Sequence, residues 1–260
     1  MTSRTPVYGK PIGVMIVTGG SRGIGAATAR LAAGSGYDVC VNYVRDAAAA
    51  AAVASQVHSA GRRAIAVQAD MAVEADVERL FKTVDAELGK LAVLVNNAAI
   101  VGEGRRRADT LRAEAVNRLL AANVTGPIVA SREAILRMST KRGGAGGVIV
   151  NVSSMSARIG APNLWVDYAA SKGALDTLTV GLAQELADEG IRVNAVRPGL
   201  IDTDIHAATG MPDRVQRAQK QIPMKRAGSA EEVAHAILWL ASPAAAYVSG
   251  AIVDVAGGVR

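Results

Sequence analysis

Short apolar runs alternate with longer stretches of helical periodicity along the whole chain. The runs Val14–Thr18, Asp38–Tyr43, Ala64–Gln68, Val93–Asn96, Val148–Val152, Arg192–Val196 and Ala251–Val255 are mostly continuous and rich in β-branched residues. Such runs suit strands buried on both faces of a sheet. Between them, helices are expected near 24–34, 46–60, 74–88, 108–138, 167–188 and 230–241. Asp46 ahead of AAAAAAVA is a good N-cap before strong helix formers, and Ser229-Ala230-Glu231-Glu232 reads as a capping box. Strand–helix alternation predicts an α/β fold, a single-domain, Rossmann-like, doubly wound parallel sheet of about seven strands with helices on both faces. Residues 1–11 read as a loose tail and 12–260 as the domain. The segment about 200–228, interrupted by Gly210, Pro212, Pro223 and Gly228, reads as a substrate lid.

Composition narrows the function classes. The chain has 260 residues, half of them hydrophobic, which is enough for a substantial core. No apolar stretch approaches the roughly 18 residues a membrane helix needs, and the first residues lack the apolar core of a secretory signal. One cysteine, Cys40, excludes an internal disulfide, and a cytoplasmic location is expected. The net charge is +6, yet Lys and Arg are scattered apart from Arg105-Arg106-Arg107, and aromatics are only 3%. Few bases could stack, so nucleic acid is not the expected partner and an anionic small molecule is. His58, His206 and His235 have no metal-ligand spacing, and no metal is expected.

Candidate chemistry begins at the first strand's end. Residues 14–25 read VMIVTGGSRGIG. Glycines let the backbone turn tightly, and the helix that follows offers free N–H groups to phosphate. The spacing T-G-x-x-x-G-x-G, Thr18 through Gly25, differs from the G-x-G-x-x-G fingerprint. Farther on stands Y-A-A-S-K at 168–172, with Tyr168 and Lys172 one turn apart on one helix face. A neighbouring ammonium favours a phenolate and brings its pKa toward the working range of an acid–base catalyst.

The chain resembles the short-chain dehydrogenase/reductase family over almost its whole length. The matching pieces stand in the family's order: T-G-G-S-R-G-I-G at 18–25, Asp70, N-N-A-A at 96–99, Asn123, N-V-S-S at 151–154, Y-A-A-S-K at 168–172 and R-P-G at 197–199. Ala99 stands where the family usually has Gly, and the last strand ends V-D-V-A-G-G rather than V-D-G-G. The resemblance implies hydride transfer between a nicotinamide and a carbonyl or secondary alcohol. Tyr168 would be the general acid/base, Ser154 would hold the substrate oxygen, Lys172 would tune the phenol and hold the nicotinamide ribose, and Asn123 would support a relay water. Ser154 lies 14 residues before Tyr168, against the family's usual 13 or so, with Ser153 and Ser156 as neighbours.

The resemblance also implies the cofactor contacts. Thr18, Gly19, Ser21, Arg22, Gly23, Ile24 and Gly25 would wrap the phosphates. Asp70, with Met71, would meet the adenine, and Asn97, Ala98 and Ala99 would pass the adenosine ribose. Tyr168, Lys172, Pro198, Gly199, Ile201 and Thr203 would border the nicotinamide end. At the end of the second strand, where an acidic residue would select NAD, stand Asn42 and Tyr43, with Arg45 after them. Arg22 and Arg45 suit a 2′-phosphate, so NADP(H) is expected ahead of NAD(H). Family members of this pattern are usually homotetramers, some dimers. The substrate stays open between a 3-oxoacyl thioester on an acyl carrier protein, a sugar or polyol, and a small ketone. The non-enzymatic alternative is an NADP(H)-sensing binding module. Asp202 and Asp204 are expected to cap a lid helix, Arg105–Arg107 to be a solvated helix start, and Trp165 to line the pocket or a subunit contact.

Overall fold

The computed structural model describes residues 12–102, 104–203, 210–211 and 213–260. The expected tail 1–11, Asp204, His206 and Pro212 lie outside the described residues. Seven strands form one sheet in the order β3-β2-β1-β4-β5-β6-β7, and every pairing is parallel. They are β1 Val14–Val17, β2 Asp38–Tyr43, β3 Ala64–Gln68, β4 Leu91–Asn96, β5 Gly147–Val152, β6 Ile191–Pro198 and β7 Ile252–Val255. The boundaries of β2 and β3 are those the apolar runs predict. β1 stops one residue early because the Thr18 side chain turns into a hydrogen-bonded corner. Helices α1 Gly23–Gly34, α2 Ala47–Ser59, α3 Glu74–Glu87, α4 Ala113–Leu120, α5 Gly126–Met138, α6 Ser156–Ile159, α7 Val166–Glu185, α8 Arg214–Ala218 and α9 Ala230–Ala241 pack on both faces. Two apolar cores result, one on each side of the sheet, the first around Met15, Val39, Val95 and Ile237 and the second around Ile16, Leu80, Phe81 and Ile149.

Local chemistry sets several element ends as expected. Asp46 accepts the Ala49 N–H at 2.9 Å at the start of α2, and Ser229 with Glu232 forms the capping box of α9. The expected helix 108–138 is instead interrupted. A single 3-10 turn spans Ala108–Thr110, α4 starts only at Ala113, and a wide turn at Ala121–Thr125 joins α4 to α5. There the Gly126 N–H reaches the carbonyl of Ala121, five residues back. The cause is in the sequence: Pro127 has no N–H to give the carbonyl four residues before it, that of Asn123, so regular α-bonding cannot run through. Gly126 serves a second need, because a Cβ there would lie 2.4 Å from the Met71 carbonyl oxygen. The helix thus sits directly against the loop after β3.

The order of strands reverses between β1 and β4. In an open parallel sheet the crevice for ligands lies outside the carboxyl ends of the strands at such a switch point. Thr18, after β1, and Asn97, after β4, stand at that crevice.

Candidate active site

The turn after β1 is held by side chains of the β4 end. Thr18 Oγ1 donates to Val95 O at 3.2 Å and accepts the N–H groups of Asn97 and Ala98 at 2.9 and 3.0 Å. The Asn97 amide donates to the carbonyls of Thr18 and Gly19 at 2.8 and 3.1 Å. Gly25 must be glycine, since a Cβ there would lie 2.4 Å from the Gly19 oxygen and 2.6 Å from Asn97 Nδ2. Helix α1 then begins with Arg22 as an extended N-cap that makes no side-chain cap bond, and its first turn carries no acidic residue. Uncapped first-turn N–H groups with the positive end of the helix dipole fit a phosphate. A cleft of about 670 Å³ lies against this turn, between α1, α2 and α9, lined by Ser21, Arg22, Gly23 and Thr203 among others.

The end of β2 departs from expectation. Asn42 is fully buried, its amide donating to Val67 O and Ala69 O at 3.3 and 2.9 Å while its Oδ1 accepts the Gly19 N–H at 3.0 Å. Its carbonyl takes the Gly20 N–H at 2.8 Å. Asn42 therefore braces the glycine turn from below. Thr18 is buried beside it, 1% exposed. Tyr43 is partly buried, and Arg22 and Arg45 are exposed. Asp70 Oδ1 accepts the Ala72 N–H at 2.9 Å, while its own N–H donates to Asp76 Oδ2 at 2.9 Å. That hydrogen bond, with the Arg79 guanidinium, holds the Asp76 carboxyl below its ordinary range. Met71 is buried behind Asp70. Ala98 and Ala99 follow on the crevice side, partly exposed.

Strand β5 and helix α7 bring the serine, tyrosine and lysine together. Ser153 is turned inward, donating to the Lys172 carbonyl at 3.2 Å. Ser154 is the partly exposed one; its Oγ accepts the Ser156 N–H at 3.0 Å and hydrogen-bonds the Tyr168 hydroxyl. Burial pushes the Tyr168 phenol up to about 12, against the opposing pull of the Ser154 hydrogen bond and the Arg214 charge. Lys172 is 2% exposed; its Nζ donates to Val152 O at 2.7 Å and lies 5.6 Å from the Tyr168 ring centre. Burial brings its ammonium down to about 8, with Asp176 opposing. The Lys172 ammonium is thus hydrogen-bonded to the Val152 carbonyl beside the Tyr168 ring, and the Arg214 charge also pulls the phenol pKa down.

Asn123 sits in the wide turn and is fully buried. Its Oδ1 accepts the Ile100 N–H at 2.8 Å, and its amide donates to Ile100 O at 2.9 Å and Ser171 Oγ at 3.2 Å. It ties the loop after β4 to α7, one residue before Lys172. Beyond β6, Pro198 O accepts the Met155 N–H and Gly199 N–H donates to Val255 O, each at 3.0 Å. Ile201 pairs with Gly228, and Thr203 faces Gly23 across the crevice. Ser21 and Ile24 stand in the glycine turn itself.

Around the site, long-range contacts fix residues whose partners the sequence does not show. Trp165 is buried, meets the Tyr168 ring edge-on at 6.2 Å and donates its indole N–H to Gly104 O at 2.8 Å. Arg106, expected to be solvated with its neighbours, pairs at 3.0 Å with Asp167 at the start of α7. Arg214 lies over the Trp165 ring at 4.3 Å. Cys40 is fully buried in β2, where burial raises its thiol pKa, as packing rather than reactivity requires.

A glycine turn at the switch point and a Ser–Tyr–Lys group across it define a nicotinamide-type oxidoreductase fold, and comparison with known proteins makes the family explicit. Residues 19–260 match the family model described as enoyl-(acyl carrier protein) reductase. The chain is 52% identical over 245 residues to the uncharacterized oxidoreductase YgfF of Escherichia coli (strain K12), covering 94% of this chain and 99% of that protein. A short-chain dehydrogenase from Burkholderia cenocepacia J2315, solved in complex with NADP, superposes with a TM-score of 0.84 at 36% identity, covering 98% of this chain and 99% of that one. The 3-ketoacyl-(acyl-carrier-protein) reductase from Brucella melitensis, complexed with NADH, gives a TM-score of 0.87 at 34% identity, covering 95% and 98%. The chain belongs to the short-chain dehydrogenase/reductase family, and a nicotinamide cofactor follows from that membership and those neighbours.

Proposed function

We propose that the protein is an NADP(H)-dependent oxidoreductase that interconverts a carbonyl and a secondary alcohol, with Tyr168 as general acid/base. The observation that carries this reading is the meeting of Ser154, Tyr168 and Lys172 at the carboxyl end of β5, across the crevice from the uncapped start of α1. Ser154 Oγ and the Tyr168 hydroxyl hold the substrate oxygen between them. A phenol raised to about 12 keeps its proton at neutral pH, which suits donation to that oxygen as a carbonyl is reduced. Lys172 is buried, and its ammonium's one hydrogen bond among the described residues goes to Val152 O, so further N–H donors remain for the ribose hydroxyls of the nicotinamide. When bound, the nicotinamide supplies or accepts the hydride and, oxidised, adds a positive charge near the phenol. Asn123 acts by holding the backbone at Ile100 and Ser171. The adenosine end lies along Asp70, Met71 and Asn97 to Ala99, and the residues from Pro198 to Thr203 border the nicotinamide end, with 200–228 as the lid.

NADP(H) is preferred over NAD(H) because no carboxylate stands at the end of β2, while Arg22 and Arg45 are exposed there. An Arg pair can grip a 2′-phosphate in bidentate fashion. A homotetramer, or a dimer, in the cytoplasm completes the proposal.

The test is turnover by wild type and Tyr168→Phe on a panel of diketones, acetoacetyl thioester and aldoses with NADPH. Wild type reduces one class. The variant loses roughly 10²–10⁴-fold in kcat/KM while its NADPH affinity stays within about threefold. A variant as active as wild type refutes the role of Tyr168. Cofactor binding without turnover by either protein favours a sensing module.

A further inference from the structure

Arg214 opens α8 beside the site, with its guanidinium carbon 4.3 Å from the centre of the Trp165 ring. Trp165 in turn meets the Tyr168 ring edge-on, centroids 6.2 Å apart and planes at 74°. The cation is therefore no farther from the phenol ring than those two distances together, and its charge acts on the phenol. Its support is rigid. The indole is buried, packs with Ala161 and Ala169, and is fixed by the bond from its N–H to Gly104 O at 2.8 Å.

Among the described residues, Arg214 has no counter-ion. Asp213 pairs with Arg217, and Asp167 pairs with Arg106. No carboxylate pairs with Arg214 among the described residues, and the nearby charge that acts on it besides Tyr168 is a second cation, Arg105. Desolvation and this repulsion both disfavour its charged form. Stacking on Trp165 offsets part of that. An anion held at the Arg214 guanidinium would offset the rest, and a carboxylate suits its planar fork.

We propose that Arg214 reads a carboxylate on the substrate, so that the preferred substrates are oxo acids and the corresponding hydroxy acids, with the carboxylate on the Trp165 side of the reacting carbon. The proposal rests on the oxidoreductase reading above and adds a substrate class to it. Arg214 is a specificity-determining residue, distinct from the groups that meet the reacting atoms.

The experiment compares kcat/KM with NADPH for 4-oxopentanoate and 4-oxocyclohexanecarboxylate against their methyl esters, in wild type and Arg214→Gln. Wild type favours at least one acid over its ester by tenfold or more. Arg214→Gln lowers that acid-to-ester ratio by at least tenfold, with the change mainly in KM. The ratio cancels any general effect of the lost charge on Tyr168. Equal use of acid and ester by wild type, or an unchanged ratio in the variant, overturns the proposal. Should the variant fail to fold, competition in wild type decides. Cyclohexanecarboxylate should inhibit at least tenfold more tightly than its amide, less so as KCl rises, and equal inhibition overturns the proposal. The two readings fail differently: reduction of neutral ketones without acid preference sinks only this one, whereas absence of NADPH binding sinks the oxidoreductase reading beneath it.

Discussion

Lys172 is a charged group in a nearly sealed position, and its titration follows from that. Its ammonium, ordinarily near 10.5, is brought to about 8 by burial. Between those values the unfolded chain binds the extra proton, so Lys172 contributes stability that grows as pH rises from about 8 toward 10.5 and is lost as pH falls through 8. Tyr168 works in the opposite sense, raised from 10.0 to about 12, and its contribution declines only above pH 10. Urea unfolding of cofactor-free protein at pH 8 and pH 10 separates them. Wild type should gain on the order of 2 kcal/mol relative to Lys172→Met over that interval. Parallel profiles would show that the lysine is not buried in this way. The sequence made the i, i+4 pairing of Tyr168 and Lys172 plain. It did not reveal that Asn42 is fully buried or that Arg214 stacks on Trp165 beside the phenol, since both depend on contacts between distant parts of the chain.

At the scale of elements, the join between α4 and α5 links fold to site. Pro127 interrupts the α-bonding, the wide turn swings Asn123 inward, and its amide fixes Ile100 and Ser171. Gly126 lets this join rest on the Met71 carbonyl. Gly126→Ala should therefore lower stability by about 1–3 kcal/mol through overpacking, read as a shift in thermal unfolding. It should also weaken cofactor binding, because Asp70 and Met71 must move; an unchanged melting temperature would refute the close approach. Hydrophobic periodicity predicted the existence of all seven strands, because strands buried on both faces leave continuous apolar runs. It ran helix 108–138 through the interruption, because apolar spacing continues across a wide turn and only Pro127 marks it.

At the scale of the whole molecule, no helix of the described residues is long and apolar enough to cross a membrane. Ile128 and Leu136 on α5, Trp239 on α9 and Tyr247 stand exposed. The proposed homotetramer predicts a sedimentation-equilibrium mass four times the 26.7 kDa of the chain, and a monomer at micromolar concentration would contradict it. The doubly wound parallel sheet follows from the alternation of elements, whereas assembly and substrate class depend on surfaces that leave no periodic mark. In the proposed function the crevice binds a nicotinamide dinucleotide through the turn at Thr18–Gly25, with Arg22 and Arg45 selecting the 2′-phosphate. The most direct measurement is a fluorescence titration of the protein with NADPH and NADH, repeated on Arg22→Ala/Arg45→Asp. The account predicts that wild type binds NADPH at least tenfold more tightly than NADH and that the double variant loses that preference. Failure of wild type to bind either nucleotide would contradict the account from the glycine turn onward, and an unchanged preference in the double variant would contradict the role of the two arginines.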